Sequence, residues 1–377
     1  MRFLSIVLLA MVLAALPDLP ATAQSASSTA TGVSNTFNPA ISVNGLFCGQ
    51  VSRDSDLPEY NRIALQEAEA QFTAIVDPFW KANIVAAVHP AHAHEDEEAQ
   101  HSEAGGVELD LEEAYIDGRS LPAGLALRLG KFYLPFGKQV PLHTHQFPFV
   151  EAPVAIQVFL GDHGLTEPGA RLEATVPLPW YSNLATYAVN GDAEIFDAEN
   201  RDLAFGGRWN NLWDLSTAAT LELGGSYLRG PAAASWESGS HLDVYGMDLT
   251  YKWISPRRSQ GPALTLQGEL IFPRPQGRPG HPLGWYAEAE YRVLRNWWLG
   301  ATTGQADPDL PLAAGAPEFG DGLAGRVNEY KFDVTFVPSE FSDLRAEVAY
   351  YDSETKDDLR FLVQWNFTIG SHPAHLY

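Results

Sequence analysis

Histidines and carboxylates are concentrated in one short stretch of this 377-residue sequence, between positions 89 and 103. Four of the 11 histidines lie there, together with five carboxylates. Imidazole nitrogens and carboxylate oxygens bind zinc and similar divalent ions, and a loop can bring several such groups to one ion. The stretch therefore predicts a weak Zn²⁺ site, although a solvated acidic loop without an ion explains the composition equally well. The candidate ligands are His89, His92, His94, Glu95, Glu98 and His101.

A second stretch, 134–168, combines five prolines and four phenylalanines with polar residues that could line a channel. A solvent-exposed loop rarely contains so many aromatic side chains, so we predict that it packs against the inside of a larger structure and narrows a pore. We interpret its His143-Thr-His145 segment as a hydrogen-bonded structural pair in preference to a pair of metal ligands. The candidate constriction residues are His143, His145, Glu151, Asp162 and His163.

The charge balance limits the possible partners. Lys and Arg total 24 against 47 Asp and Glu, which gives a formal net charge of -23. Nucleic-acid binding requires clustered bases to neutralise phosphates, so no nucleic-acid partner is expected. Cations or neutral solutes are the expected partners.

The N-terminus is typical of an exported protein. Arg2 precedes an apolar run from Phe3 to Leu16, and small residues at positions 21–23 form a cleavage site. We predict a signal peptide over 1–23, cleaved after Ala23, and a flexible periplasmic leader over 24–40. No motif requires a cofactor, and Zn²⁺ on the 89–103 loop is the candidate ion.

Alternation of apolar and polar residues dominates the rest of the chain. Runs of about 9 to 13 residues with period two are long enough to cross a bilayer as tilted strands. The connections between them are alternately short and long, as in outer-membrane barrels. We therefore predict an all-β fold, a transmembrane antiparallel β-barrel of about 16 strands over 41–377, with 134–168 folded inward as the constriction loop. The strands are predicted near 41–48, 64–76, 79–89, 106–117, 124–133, 169–177, 182–189, 203–209, 217–229, 241–253, 262–272, 284–294, 296–304, 325–337, 341–351 and 358–369.

Polar faces of these strands carry both signs of charge, which implies a water-filled lumen because unpaired charges in lipid are costly. A large soluble β-protein is the alternative, since a half-buried soluble strand shows the same alternation. The predicted pore-lining charges include Arg128, Lys331, Asp333, Arg345 and Glu347.

The segment 124–137 resembles the phosphate-selective porin group (O and P type) in its Gly130-Lys131-Phe132 followed by Pro135-Phe136-Gly137. That resemblance covers fourteen residues and the amphipathic last strand, and it implies a sixteen-stranded, homotrimeric porin. Some relatives are labelled zinc-regulated TonB-dependent outer-membrane receptors, which we take as an association with zinc. The chain departs from anion-selective members because Lys138 is the one base in 134–168. A phosphate preference is therefore not predicted.

These observations predict an outer-membrane porin of a Gram-negative bacterium, surrounded by lipid, through which small hydrophilic solutes diffuse with a preference for cations. A zinc-binding or zinc-responsive receptor is the first alternative, and an outer-membrane barrel enzyme is the second. We predict no enzyme activity, because the sequence contains no G-x-S-x-G, H-E-x-x-H, G-x-x-x-x-G-K or C-x-x-C motif.

Overall fold

The computed structural model describes residues 39–53, 61–90, 107–118, 121–161, 164–197, 199–233, 236, 240–256, 261–277, 280–309, 318–319 and 323–370. The predicted signal peptide, most of the leader and the histidine-rich segment beyond Pro90 lie outside these residues. Within the described part of the chain, no helix is both long and apolar enough to cross a membrane.

Sixteen antiparallel strands form a closed barrel, in which β1 pairs with β18 to complete the ring. The predicted fold is confirmed, and each of the sixteen predicted strands corresponds to one strand of the barrel. β14 (Glu318–Phe319) and β15 (Leu323–Ala324) form a separate two-stranded sheet that is not part of the ring. The barrel strands are β1 (Ala40–Ser52), β2 (Arg62–Ile75), β3 (Trp80–Pro90), β4 (Val107–Gly118), β5 (Leu125–Tyr133), β6 (Thr166–Thr175), β7 (Tyr181–Val189), β8 (Ala204–Ser216), β9 (Ala219–Pro231), β10 (His241–Ile254), β11 (Ala263–Pro275), β12 (Leu283–Leu294), β13 (Trp297–Asp307), β16 (Val327–Ser339), β17 (Ser342–Ser353) and β18 (Asp357–Gly370).

The two faces of β16 show why the alternating sequence closes into a barrel. Tyr330 and Phe332 point outward and are 53% and 50% exposed, whereas Glu329, Lys331 and Asp333 are buried on the inner face. Successive side chains of a strand point to opposite faces, so one period-two run supplies both an apolar outer surface and a charged lumen.

Aromatic rings mark both ends of the barrel. Trp180 contacts Trp213 beside the short turns, with ring centroids 5.8 Å apart. Tyr330 and Tyr350 stack 6.4 Å apart nearer the long connections. Amphipathic rings favour the boundary between lipid and water, so these two levels correspond to the aromatic girdles of a membrane barrel.

One predicted strand is longer than expected. β8 was predicted over 203–209 but continues to Ser216. Its second half continues the alternation: Asn210 lies on the inner face with Arg208, and Asn211 lies on the outer face with Trp209, where its side chain accepts a hydrogen bond of 3.0 Å from the Trp180 indole. Consecutive polar residues Asn210-Asn211 interrupt the apolar pattern, which is why the sequence suggested an early end.

The connection between β5 and β6 folds into the barrel, as predicted, and runs from 134 to 165 because β6 begins at Thr166. It contains a 3-10 turn over Thr144–Gln146 and a short helix, α1 (Val154–Leu160), that packs against β11, β12, β13 and β16. Gly284 on β12 makes this approach possible, since a Cβ there would lie 2.8 Å from the Phe159 ring. An apolar core inside the barrel joins the loop to the wall; it includes Phe132, Leu134, Phe136, Phe159, Leu160, Leu165, Leu228, Leu242 and Ile271.

Candidate pore constriction

Carboxylates on the wall hold the backbone of the inward loop. The backbone N–H groups of Lys138 and Gln139 donate to Glu269 Oε1 at 2.6 and 2.8 Å. Gly137 permits this approach, because its φ is +59° and a Cβ would overlap the Glu269 carboxylate. A loop that leaves the strand ladder must find other acceptors for its buried N–H groups, and the wall supplies them.

The far end of the loop is held in the same way. Val150 N–H donates to Glu347 Oε2 at 3.0 Å, and Val154 N–H donates to Glu329 Oε1 at 3.0 Å. Lys331 Nζ donates to the Glu151 and Ala152 carbonyls at 3.1 and 3.2 Å. Carboxylates and an ammonium group from neighbouring strands therefore fix the loop across the lumen.

Several predicted pore-lining charges gather beside this second attachment. Lys331 forms an ion pair with Glu329 at 3.0 Å. Arg345 donates to Thr335 and Gln364, each at 3.1 Å. Asp333 accepts from Thr335 Oγ1 at 2.7 Å.

Arg128 lies apart from that group. It donates to Asp117 at 2.8 Å and stands 3.5 Å from the centre of the Tyr115 ring. The predicted pore-lining set is therefore divided between two places on the wall, one on β16 and β17 and one on β5.

Glu151, predicted as a constriction residue, meets the wall at β17 and β18. Its Oε2 accepts a hydrogen bond of 3.0 Å from the Tyr351 hydroxyl and lies 3.6 Å from Arg360 Nη1. Asp162 and His163 lie outside the described residues, as do His92, His94, Glu95, Glu98 and His101. His89 is placed near the end of β3.

His145 lies on the 3-10 turn and His143 directly precedes it, and both side chains are buried against β2 and β4. His143 Nδ1 lies 3.1 Å from Glu69 Oε2 and 3.0 Å from Glu112 Oε2, and its Nε2 lies 3.4 Å from Glu113 Oε2. His145 Nδ1 lies 3.2 Å from the same Glu69 oxygen. The two rings stack 5.7 Å apart, and Glu67 lies in the same cluster.

Two β-bulges, one in β2 and one in β4, each add a polar side chain to the inner face. In the pairing of β3 with β4, Val85 faces Glu113 and Ala86 faces Leu111, so Glu112 is an extra residue. In the pairing of β1 with β2, Leu46 faces Glu67 and Phe47 faces Leu65, so Gln66 is the extra residue. A bulge lets two consecutive side chains point to one face. The doublets Gln66-Glu67 and Glu112-Glu113 consequently both reach the lumen side.

The electrostatics of the cluster act strongly on His143. Burial by itself would lower the pKa of the imidazole, but hydrogen bonds and charge interactions with Glu112, Glu113 and Glu69 outweigh it and raise the pKa well above 6.5.

Sequence reasoning named both histidines but missed the four glutamates around them. Strict alternation gives Glu112 and Glu113 opposite faces, so it does not bring them together. The available signal was the adjacency of two acidic residues inside an alternating strand, which is typical of a bulge.

Comparison with known proteins gives one relative by sequence. The chain is 27% identical over 301 residues to an uncharacterized protein of Aquifex aeolicus strain VF5. The match covers 70% of this chain and 63% of the relative, so the chain spans less than two thirds of that protein's length. No family model matches the chain.

Solved structures provide the comparison of fold. The anion-selective porin from Comamonas acidovorans superposes with a TM-score of 0.56 at 10% identity, over 88% of this chain and 100% of that chain. The outer membrane channel DcaP of Acinetobacter baumannii gives a TM-score of 0.55 at 11% identity, over 88% and 96%. The trimer form of OmpT, an outer membrane protein of Vibrio cholerae, gives 0.53 at 9% identity, over 88% and 100%. The chain therefore has the fold of the outer-membrane porins, and assignment to the phosphate-selective group stays a prediction.

Proposed function

We propose that this protein is a porin of the outer membrane of a Gram-negative bacterium, through which small hydrophilic solutes diffuse. The support is the combination of a closed barrel, a charged inner face, an apolar outer face with two aromatic girdles, and a loop held across the lumen. Charged side chains of both signs on the inner face indicate a polar interior, since transfer of an unpaired charge to an apolar medium costs several kcal/mol. The same architecture occurs in structures described as a porin and as an outer membrane channel.

The finer proposal is a preference for cations. Among the described residues, the buried charged groups comprise thirteen carboxylates and four Lys or Arg side chains. Three of those four bases, Arg208, Lys331 and Arg360, already form ion pairs with carboxylates. Excess negative charge near a narrow low-dielectric passage attracts cations and repels anions. This excess of buried carboxylates is the observation that carries the proposal.

Reversal potentials in planar bilayers test both parts. We expect ohmic channels whose zero-current potential in a KCl gradient corresponds to preferential passage of K⁺. The double variant Glu288→Gln and Asp333→Asn removes two buried carboxylates and should reduce the ratio of cation to anion permeability. Glu108→Gln, at an exposed position near the start of β4, serves as the matched control. An anion preference in the wild-type protein would contradict the cation proposal, and a protein that forms no channels would contradict the porin proposal.

A homotrimer is the proposed assembly, supported by the fold shared with an outer membrane protein whose structure is described as a trimer form. Cross-linking in mild detergent, followed by mass measurement of the unboiled complex, tests it. The absence of enzyme activity and the zinc-responsive alternative both stay predictions.

A further inference from the structure

Five side chains of the buried histidine cluster offer atoms that could bind a metal ion: Glu67, Glu69, Glu112, His143 and His145. Glu69, Glu112 and His143 each offer one ligand atom, and these atoms lie within 4.8 Å of one another. Glu67, Glu69 and His145 form a second such triad that shares Glu69. We propose that this cluster binds one divalent transition-metal cation, with zinc as the type, between the constriction loop and the wall of the barrel.

The separations between the ligand atoms fit a shared ion. His143 Nδ1 lies 3.0 Å from Glu112 Oε2 and 3.1 Å from Glu69 Oε2, and His145 Nδ1 lies 3.2 Å from Glu69 Oε2. Zinc binds nitrogen and oxygen at about 2.0–2.2 Å, which places neighbouring ligands about 3.0 Å apart in octahedral and about 3.3 Å apart in tetrahedral geometry. These three separations match those values to within a few tenths of an ångström.

Hydrogen bonds within the protein do not satisfy all the buried polar atoms of the cluster. His143 Nδ1 faces two carboxylate oxygens but carries at most one proton, so it cannot donate fully to both. Glu69 Oε2 and Glu67 Oε1 are buried and accept no hydrogen bond of normal geometry. These residues are 2% and 7% exposed. Buried polar atoms whose hydrogen bonding is incomplete are costly, and a cation placed between them reduces that cost.

The charges also favour a cation. Four glutamates, Glu67, Glu69, Glu112 and Glu113, surround the two histidines, and in the described part of the chain none of the four has a Lys or Arg within ion-pair distance. With all four carboxylates ionised and both imidazoles protonated, the cluster would carry two more negative than positive charges. Imidazole ligands distinguish the proposed ion from magnesium and calcium, which prefer oxygen alone.

The surroundings already orient the ligands. Glu113 Oε2 lies 3.4 Å from His143 Nε2, on the opposite side of the ring from the proposed ion. The Glu113 carboxylate in turn accepts from Asn83 Nδ2 at 3.4 Å and from the Tyr133 backbone N–H at 3.3 Å. Histidine ligands commonly donate their second ring N–H to a carboxylate, which fixes the tautomer that binds the metal.

Occupation of this site would link three parts of the chain that are distant in sequence, because Glu67 and Glu69 belong to β2, Glu112 belongs to β4, and the histidines belong to the loop. The ion would also neutralise part of the negative charge beside the passage. The site is distinct from the 89–103 stretch, and the proposal does not depend on the diffusion of solutes.

Zinc binding to the full-length protein, purified in detergent without a histidine tag, tests the proposal. The measurement uses the His92→Ala, His94→Ala, His101→Ala background, so that the 89–103 stretch does not contribute. We expect one zinc per chain in this background by calorimetry and elemental analysis, with no displacement by a large excess of Mg²⁺. In the same background, Glu69→Gln and His143→Gln should each weaken zinc binding by more than about tenfold. The controls Glu173→Gln and His241→Gln should leave it unchanged.

Crystals of the wild-type protein soaked in zinc provide a test that is independent of variant folding. An anomalous peak at the zinc edge between Glu69, Glu112 and His143 supports the site, and its absence from such crystals overturns it. Failure of the protein with His92→Ala, His94→Ala and His101→Ala to bind zinc would also overturn the proposal. The proposal would likewise be overturned if the Glu69→Gln and His143→Gln variants migrated as folded barrels on unheated gels and kept an unchanged affinity for zinc.

Discussion

His143 Nδ1 lies 3.0 Å from Glu112 Oε2, although the two residues are 31 positions apart and belong to a loop and a strand. The contact depends on the bulge at Glu112, which turns this carboxylate toward the lumen beside Glu113. A single extra residue in β4 therefore connects the constriction loop to the wall at this point.

Deletion of Glu112 tests the role of the bulge. Val85 already faces Glu113 and Ala86 already faces Leu111, so removal of the extra residue should leave a regular ladder with unchanged faces. We expect the deletion variant to assemble, with a faster-migrating unheated form on gels, but to lose zinc binding at the constriction.

Deletion of Ile116 is the matched control. This residue is regularly paired with Ala82 and Leu129, so its loss shifts the register of one half of β4 and exchanges the lumen and lipid faces there. It should prevent assembly. Equal behaviour of the two deletion variants would contradict the assignment of the bulge.

The contact between Gly284 and α1 should be sensitive to one methyl group. A Cβ at position 284 would lie 2.8 Å from the Phe159 ring and 3.0 Å from Ala155 Cβ. Gly284→Ala should therefore displace α1, cost about 1–3 kcal/mol and broaden the distribution of single-channel conductance. Urea unfolding and bilayer recordings provide the measurements.

Gly225→Ala is the control for Gly284→Ala, since a Cβ at position 225 has no atom within 4 Å. It should behave as the wild type in both measurements. A Gly284→Ala protein with wild-type stability and conductance would show that α1 does not pack closely against β12.

Removal of the buried ammonium group of Lys331 should loosen the far end of the loop. Lys331→Met leaves Glu329 buried without its ion-pair partner and removes donors from the carbonyls of Glu151 and Ala152. Loss of one partner of a buried pair costs about 3–5 kcal/mol, so the urea midpoint should fall. Lys81→Met, on an exposed side chain of β3, should leave the midpoint within error. Equal midpoints for the two variants would contradict this reading.

The 89–103 stretch stays a separate prediction. Replacement of His92, His94 and His101 together by Ala should remove one class of zinc site from the wild-type titration, while assembly and basal conductance stay unchanged because outer loops contribute little to the strand ladder. A zinc titration identical to that of the wild type would reject this site.

The strands and the inward loop were predictable because both follow from local patterns. Tyr330, Phe332 and their polar neighbours reveal β16 without any knowledge of its partners. The prolines and phenylalanines of 134–168 indicate a packed loop in the same way.

The cluster around His143 was not predictable, since it requires the bulge at Glu112 and the meeting of residues from β2, β4 and the loop. Period-two alternation does not report the position of an extra residue, and no local pattern states which wall strand a loop will contact. The histidines were therefore visible in the sequence, and their glutamate partners were not.

The pairing of β1 with β18 has a consequence for biogenesis. Ser42 faces Gly370 at one end of this seam and Ser52 faces Arg360 at the other, so the ring is sealed by the first and last strands of the barrel. The entropy cost of closing the ring at this seam arises only after nearly the whole chain has been synthesised, because the two strands lie at opposite ends of the barrel sequence. A nascent or truncated chain that lacks β18 would expose two unpaired strand edges, whose backbone polar groups would lack hydrogen-bond partners in the hydrocarbon core of the bilayer. Insertion into the membrane must therefore be coupled to completion of the C-terminal strand.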